Sequence, residues 1–417
     1  MGFQEMIAPE EAEALIMAAL PGYPYVTLPI SLCAGRILRE PVIADRSQPP
    51  FDRVAMDGIA VASAAFARGL RRFPVEGMQK AGEPRRKLGS EEGCLEVMTG
   101  APLPLGADCV IPVEDIVFEE GFARLAKSGN PGKPESAALS AFRHVHRAGS
   151  DCAAGEIIVP AGAELTAPRL GAAAAFGFPE LKVAWSPSVA LIATGDELVD
   201  PGEAPAPHQI RRSNPYAIEA ALRMRGFDRI EMLHARDDRG RLREAVAGAL
   251  GRCDILILSG GVSMGKTDYV PGILAELGIE ARFHRIRQRP GKPFWFGVGS
   301  AEGSVSGKPV FALPGNPASV LVCLHRYVLP ALRRAMGGSA EAPVFAALER
   351  DSPAPGGLAH FRPVTVASGS DGRLRASYVV NQGSGDFSGW ARADGFVELA
   401  AGAEAVPAGG MVRFWGW

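Results

Sequence analysis

The chain has 417 residues, of which 47% are hydrophobic and only 7% aromatic, with 50 Gly, 34 Pro and a net charge of −2 at pH 7. That length fits about three domains, and the apolar content allows large cores without oligomerisation. The near-neutral charge, with arginine pairs scattered at Arg71-Arg72, Arg85-Arg86, Arg211-Arg212 and Arg333-Arg334, excludes a surface built for nucleic acid.

Six cysteines stand far apart with no C-x-x-C spacing, so reduced, buried thiols are expected rather than a zinc site. No apolar run reaches the ~20 residues needed to span a bilayer. The stretch "MGFQEMIAPEEAEALIMAAL" carries acids where a secretion signal carries bases, and Met6 replaces the hydroxyl residue of a myristoylation signal. A cytoplasmic protein, with no nucleic-acid or membrane partner, is the expectation.

Residues 9–20 read as a short amphipathic helix with acids in its first turn. From about 46 to 140 the pattern changes to short strands punctuated by Gly and Pro. "SGNPGKPESAALSAF" reads as a loop, and "AGEIIVPAGAELTAPRLGAAAAFGFPEL" as a turn, a strand and an alanine-rich helix. Residues 186–336 then alternate strands ("SVALIAT", "RIEMLHA", "DILILS", "ARFHRI", "VFAL") with helices, ending in one long helix "PASVLVCLHRYVLPALRRAM". That alternation predicts a doubly wound parallel sheet. The last ~80 residues show no convincing helix and predict a β domain.

In such a sheet, ligands bind beyond the carboxyl ends of the strands. Three predicted strands run straight into unusual loops there: "GDEL", "GGVSMGKTD" and "PGNPAS". A fourth segment, "RQRPGKP", lies between two predicted strands. Gly260 to Thr267 satisfies the phosphate-loop pattern G-x-x-x-x-G-K-[ST]. However, Asp268 and Pro271 force the following helix to begin late, and an aspartate beside a phosphate seat is unfavourable. Backbone N–H groups around Gly260, Gly261 and Ser263 offer an anion cradle, Arg289 and Lys292 add positive charge, and Glu197 and Asp268 add carboxylates. Cradle plus carboxylates implies a divalent, oxygen-loving cation, Mg²⁺, held by Glu197 and Asp268. The plain alternatives are a helix N-cap for Asp268, a turn acid for Glu197 and a solvated loop base for Lys292.

"SGGVSMGKTDYV" resembles the S-G-G-V-S-x-G-x-x-D-Y signature of the MoeA and gephyrin E-domain family of molybdopterin molybdenumtransferases. "FDRVAMDG" (51–58) is similar to the family's F-D-x-S-A-M-D-G-Y, and "VMTGAPLPLGADCVI" to its I-M-T-G-A-x-x-P-x-G-A-D. "ATGDEL", "RPGKP" and "LPGNPAS" follow in family order, so the resemblance spans nearly the whole chain.

The resemblance implies a multidomain α/β plus β architecture. Residues 1–45 and 140–180 form a discontinuous elongated domain and 46–139 an inserted β domain. A MogA-like doubly wound α/β domain covers 181–336, and a C-terminal β barrel 337–417. It further implies a homodimer whose active site joins parts of both subunits. The implied reaction is Mg²⁺-dependent insertion of molybdenum from molybdate into the dithiolene of adenylylated molybdopterin, with release of AMP. A MogA-type adenylyltransferase and molybdoenzyme chaperones are the implied protein partners. Carried over by motif, Asp57, Thr99, Glu197, Asp238 and Asp268 line the catalytic site. Arg289, Lys292, Pro293 and Ser319 surround the molybdate and phosphate anions, and Ser384 joins from the barrel. Without the family pattern, Asp57 reads as a turn residue and Thr99 as a capping hydroxyl.

The chain departs from the pattern at Val54, Ile59, His146, Ser150 and Lys266. It departs also at Leu358, where the family often has a basic residue. Two other classes stay open: a weakened paralogue that binds or carries molybdopterin or its cofactor, and a P-loop NTPase.

Overall fold

A computed structural model describes residues 6–126, 139–262 and 268–417. The chain forms two units, one of residues 1–40, 161–170 and 179–417, the other of residues 41–160 and 171–178. The loop expected near 128–142, with Ser263 and Lys266, lies largely or wholly outside the described residues.

The second unit is built on a six-stranded sheet in the order Cys109–Pro112, Gly58–Val61, Cys94–Val97, Arg72–Gln79, Phe122–Leu125, Ile116–Glu119. Its central strand Gly58–Val61 is buried throughout, as a strand covered on both faces must be. Gly58 pairs with both Val97 and Pro112. At φ +155° a Cβ here would meet the Ile111 carbonyl oxygen, so only glycine fits. The antiparallel register sets the start of one strand beside the end of the other. Asp57, just before Gly58, therefore comes to Thr99, just after Val97.

In the first unit, Tyr25–Pro29 pairs antiparallel with Glu180–Ala184, which returns the chain to the entrance of the α/β domain. That domain's sheet runs Ile230–Ala235, Val189–Thr194, Ile255–Ser259, Pro309–Leu313, Trp295–Gly299, Ile279–His284. The first four strands are parallel. Trp295–Gly299 runs antiparallel between Pro309–Leu313 and Ile279–His284, so the sheet is mixed where an all-parallel one was expected. "WFGVG" escaped the sequence reading because its two glycines interrupt the apolar signal.

Alternate strand residues serve opposite faces. Leu191, Ile257, Phe311 and Leu313 pack with Ile16, Val320, Leu324 and Tyr327. Ala190, Ile192, Leu256 and Leu258 pack with Leu242, Val246, Ile273 and Leu274. Each buried Leu or Ile contributes about 1.5–3 kcal/mol relative to exposure, and this double burial makes the strands read as continuous apolar runs. The expected long helix over 317–336 is instead Pro317–Cys323, a π turn Leu324–Val328 and Leu329–Ala335. Pro330 lacks the N–H that would bond to the Arg326 carbonyl, and the wider turn absorbs the missing bond.

The C-terminal strands Val344–Leu348, Ala359–Ser368, Leu374–Tyr378, Gly395–Leu399 and Met411–Gly416 pair around a closed ring. This is the β domain expected from the residues, closed into the barrel that the family resemblance implies. A five-residue helix, Phe387–Ala391, interrupts it, capped by Asp386, whose carboxylate accepts from Gly389 N–H at 3.0 Å. It is too short to leave a periodic signal. Outside the ring, Gln288–Arg289 lies parallel to the barrel strand, with Arg289 opposite His360.

Arg326 fastens these layers. Its side chain is 1% exposed, and it meets Glu13 of the first helix at 2.6 Å and Glu398 of the barrel at 3.2 Å. Trp415 Nε1 donates to the same Glu398 carboxylate at 3.0 Å.

The six cysteines are buried and unbridged, as expected. Among the described residues, no helix is long and apolar enough to cross a membrane.

Candidate active site

The carboxyl ends of Val189–Thr194, Ile255–Ser259 and Pro309–Leu313 open into a cavity of about 760 Å³ whose far wall is the barrel. The loops are held by short polar ties. Asn214 donates its amide N–H groups to Ser259 Oγ at 2.8 Å and to the Gly315 carbonyl at 2.7 Å. Gly260 N–H donates to the Leu313 carbonyl at 3.0 Å. At Gly260, with φ +103°, a Cβ would meet Thr194 Oγ1 at 2.6 Å and its carbonyl oxygen at 2.8 Å. Glycine is therefore required for the loop to pass this close to the neighbouring strand. Asn316 donates to Ser384 Oγ at 2.9 Å, which joins "PGNPAS" to the barrel. Buried Gln288 donates to the Pro290 carbonyl at 3.0 Å and accepts from Tyr327 OH, which braces "RQRPGKP" from beneath.

Of the residues singled out from sequence, Glu197, Gly260, Gly261, Asp268, Arg289, Lys292, Pro293, Ser319 and Ser384 line this one cavity. Asp238 does not. It caps helix Arg239–Arg252, accepting from Arg241 N–H at 2.8 Å, and its neighbour Asp237 faces the cavity instead. Strand Ile255–Ser259 is followed by a helix that begins only at Val270, whose N-cap position falls on Tyr269 rather than Asp268. The late start matches the objection to a phosphate-loop reading, in which the helix would continue from the Lys-Thr pair.

Asp57 and Thr99 belong to the second unit. Thr99 donates its N–H at 2.6 Å and its hydroxyl at 2.7 Å to one Asp57 oxygen. These bonds, the hydroxyl's first, hold the exposed Asp57 carboxyl below its ordinary range.

Sequence reasoning missed Asp237, Asn316, His360 and Arg362, all of which line the cavity. The signal for the last two was the alternation in "AHFRP", which points His360 and Arg362 to one side of their strand. Burial pushes the His360 imidazole down, and Arg289 and Arg362 beside it push it further. Behind the glycine loop, burial likewise depresses His284, whose Nε2–H donates to the Val262 carbonyl at 3.0 Å.

Among the described residues, the acidic groups lining the cavity are the carboxylates of Glu197, Asp237 and Asp268, which are oxygen donors. Among the described residues no three candidate ligands gather closely enough to cage a metal by themselves. Mg²⁺ is normally bound by one or two carboxylates with water and phosphate completing its shell, so this donor set fits that ion once an anionic substrate is present.

Three family models match in succession: the MoeA N-terminal region (domain I and II) over residues 7–177, a probable molybdopterin binding domain over 190–334, and the MoeA C-terminal region (domain IV) over 346–417. The molybdopterin molybdenumtransferase of Synechocystis sp. is 36% identical over 412 residues, covering 99% of this chain and 100% of that protein. The chain belongs to the MoeA family. The molybdopterin molybdenumtransferase of Haemophilus influenzae is 29% identical, with 98% of each chain covered.

The molybdopterin biosynthesis MoeA protein of Pyrococcus horikosii superposes with a TM-score of 0.76 at 29% identity, covering 99% of this chain and 100% of that one. A second MoeA structure, from Pyrococcus horikoshii OT3, shares the fold with a TM-score of 0.79 at 22% identity. The doubly wound α/β domain and the C-terminal barrel are therefore family architecture, and the cavity lies where these two parts of the MoeA fold meet.

Proposed function

We propose that the chain is a molybdopterin molybdenumtransferase, which inserts molybdenum from molybdate into the dithiolene of adenylylated molybdopterin and releases AMP. The observation that carries this reading is a single cavity lined both by Arg289, Lys292, His360 and Arg362 and by Glu197, Asp237 and Asp268. Such an array suits a polyanionic substrate bound through both phosphate and metal.

In this reading Arg289 and Lys292 draw in and orient the anions, with Ser319 and Ser384 as hydrogen-bond partners. Glu197 and Asp268 hold Mg²⁺, and Asp237 assists them. The ion supplies charge neutralisation at the phosphate link that is cleaved. No protein nucleophile is needed, and burial keeps thiols such as Cys94, pushed up to about 12, protonated.

Asp57 and Thr99 would complete the site from the second copy of a homodimer. A MogA-type adenylyltransferase supplies the substrate and molybdoenzyme chaperones take the product, all in the cytoplasm. The four-part division with boundaries near 45, 140, 180 and 336 belongs to the same reading.

The test is to supply adenylylated molybdopterin, molybdate and Mg²⁺ and to follow AMP. Release that needs all three supports the transferase. Tight pterin binding without AMP release would make the chain a carrier, and steady ATP hydrolysis without pterin would make it an NTPase.

A further inference from the structure

Four basic side chains, Arg289, Lys292, His360 and Arg362, line the cavity, and among the described residues none of them forms an ion pair. Arg289 and His360 are direct neighbours on paired parallel strands. Arg362 lies two residues further along the same strand, its guanidinium stacked 3.6 Å from the Tyr378 ring centroid, which fixes its direction. The third position beside His360, across the antiparallel pair, is apolar Leu399. The charges facing the imidazole are thus Arg289 and Arg362, with Lys292, Glu197, Asp237 and Asp268 elsewhere on the cavity wall. Like charges set side by side repel, and an anion bound between them relieves that repulsion.

We propose that an oxyanion bound beside Arg289 and Arg362 draws one proton from solvent onto His360. The inference rests on the proposed reading that the cavity takes an anionic substrate. Partial burial first, and then the two guanidinium groups, favour neutral imidazole. A dianion placed between them reverses the local field, so the imidazolium becomes the favoured form and donates a further charge-assisted hydrogen bond. Binding should therefore tighten as pH falls through the range near neutrality where histidine titrates. The oxyanion is either a phosphate of the pterin nucleotide or molybdate itself, which share this chemistry.

The experiment is NMR titration of the seven histidine side chains in the full-length protein, without pterin, the His360 signal being the one absent from His360→Gln. Sulfate, which stays a dianion near neutral pH, is the probe. Saturating sulfate should raise the His360 midpoint by at least about one pH unit, which is tenfold tighter binding to the imidazolium form. Sulfate affinity should be independent of pH in His360→Gln and severalfold weaker at every pH in Arg362→Gln. Molybdate and AMP, titrated separately, identify the natural occupant by which one moves the midpoint at the lower concentration. A midpoint unmoved by sulfate, molybdate and AMP alike would overturn the proposal while leaving the transferase reading to its own assay.

Discussion

Thr99 presents its N–H and its hydroxyl to the same oxygen of Asp57, at 2.6 and 2.7 Å. Strand register makes this contact, and it leaves the carboxylate ionised and its other oxygen free of these two bonds. Replacing Thr99 by Val removes the hydroxyl bond and keeps the shape. If that bond orients the carboxylate for the reaction, the rate of AMP release should fall roughly tenfold. At this exposed position stability should change by less than about 0.5 kcal/mol. An unchanged rate would reduce the pair to a turn cap.

Lys266 completes the phosphate-loop look-alike but lies outside the described residues, and the helix after it begins late, at Val270. Lys266→Ala should therefore retain AMP release within a few-fold and show no loss of ATP hydrolysis, because there is none to lose. A collapse of activity, with pterin-independent ATP turnover by the unsubstituted protein, would restore the NTPase reading.

The buried Arg326 depends on Glu398 and Glu13. Removing one partner of a buried pair typically costs about 3–5 kcal/mol. Glu398→Ala should fall near 3 kcal/mol, at the lower end of that range, because Glu13 remains. The check is the denaturant midpoint of unfolding. A shift worth less than about 1 kcal/mol would show that the network is incidental.

His325 is buried against Trp417, with ring centroids 5.0 Å apart. Burial first, then Arg225, lowers its pKa from 6.5 to about 4. The folded state thus resists the proton that the unfolded state accepts. The resulting stability is present above pH 6.5 and is lost as pH falls towards 4, by about 3 kcal/mol at most. His325→Leu should flatten this part of the stability–pH curve. An equally steep curve in the variant would assign the acid sensitivity to other groups.

The parallel strands, their glycine loops and the basic "RPGKP" turn were legible because each carries its chemistry locally. A buried strand is an apolar run, and a tight loop needs glycine. Choosing between Asp237 and Asp238 was beyond such reasoning, since only the angle at which the strand ends decides which acid faces the cavity and which caps the helix. His360 and Arg362 were hidden for a different reason. They reach the site only because the barrel strand pairs with Gln288–Arg289, 71 residues away in sequence, at Arg289 and His360. The π turn before Pro330 and the antiparallel Trp295–Gly299 strand are likewise products of tertiary context, which local propensity does not encode.

AMP release by Asp268→Asn tests the central claim most directly. Asp268 lines the cavity while the N-cap position of the next helix falls on Tyr269, so Asn should leave the fold intact and remove one charge proposed to hold Mg²⁺. With adenylylated molybdopterin, molybdate and saturating Mg²⁺, the unsubstituted protein should release AMP in proportion to the cofactor formed. Asp268→Asn should be slower by at least about 100-fold, equivalent to ~2.7 kcal/mol of barrier, with an unchanged unfolding midpoint. An Asp268→Asn variant as fast as the unsubstituted protein, or AMP release that ignores Mg²⁺, would contradict the assignment of this cavity as the site of molybdenum insertion.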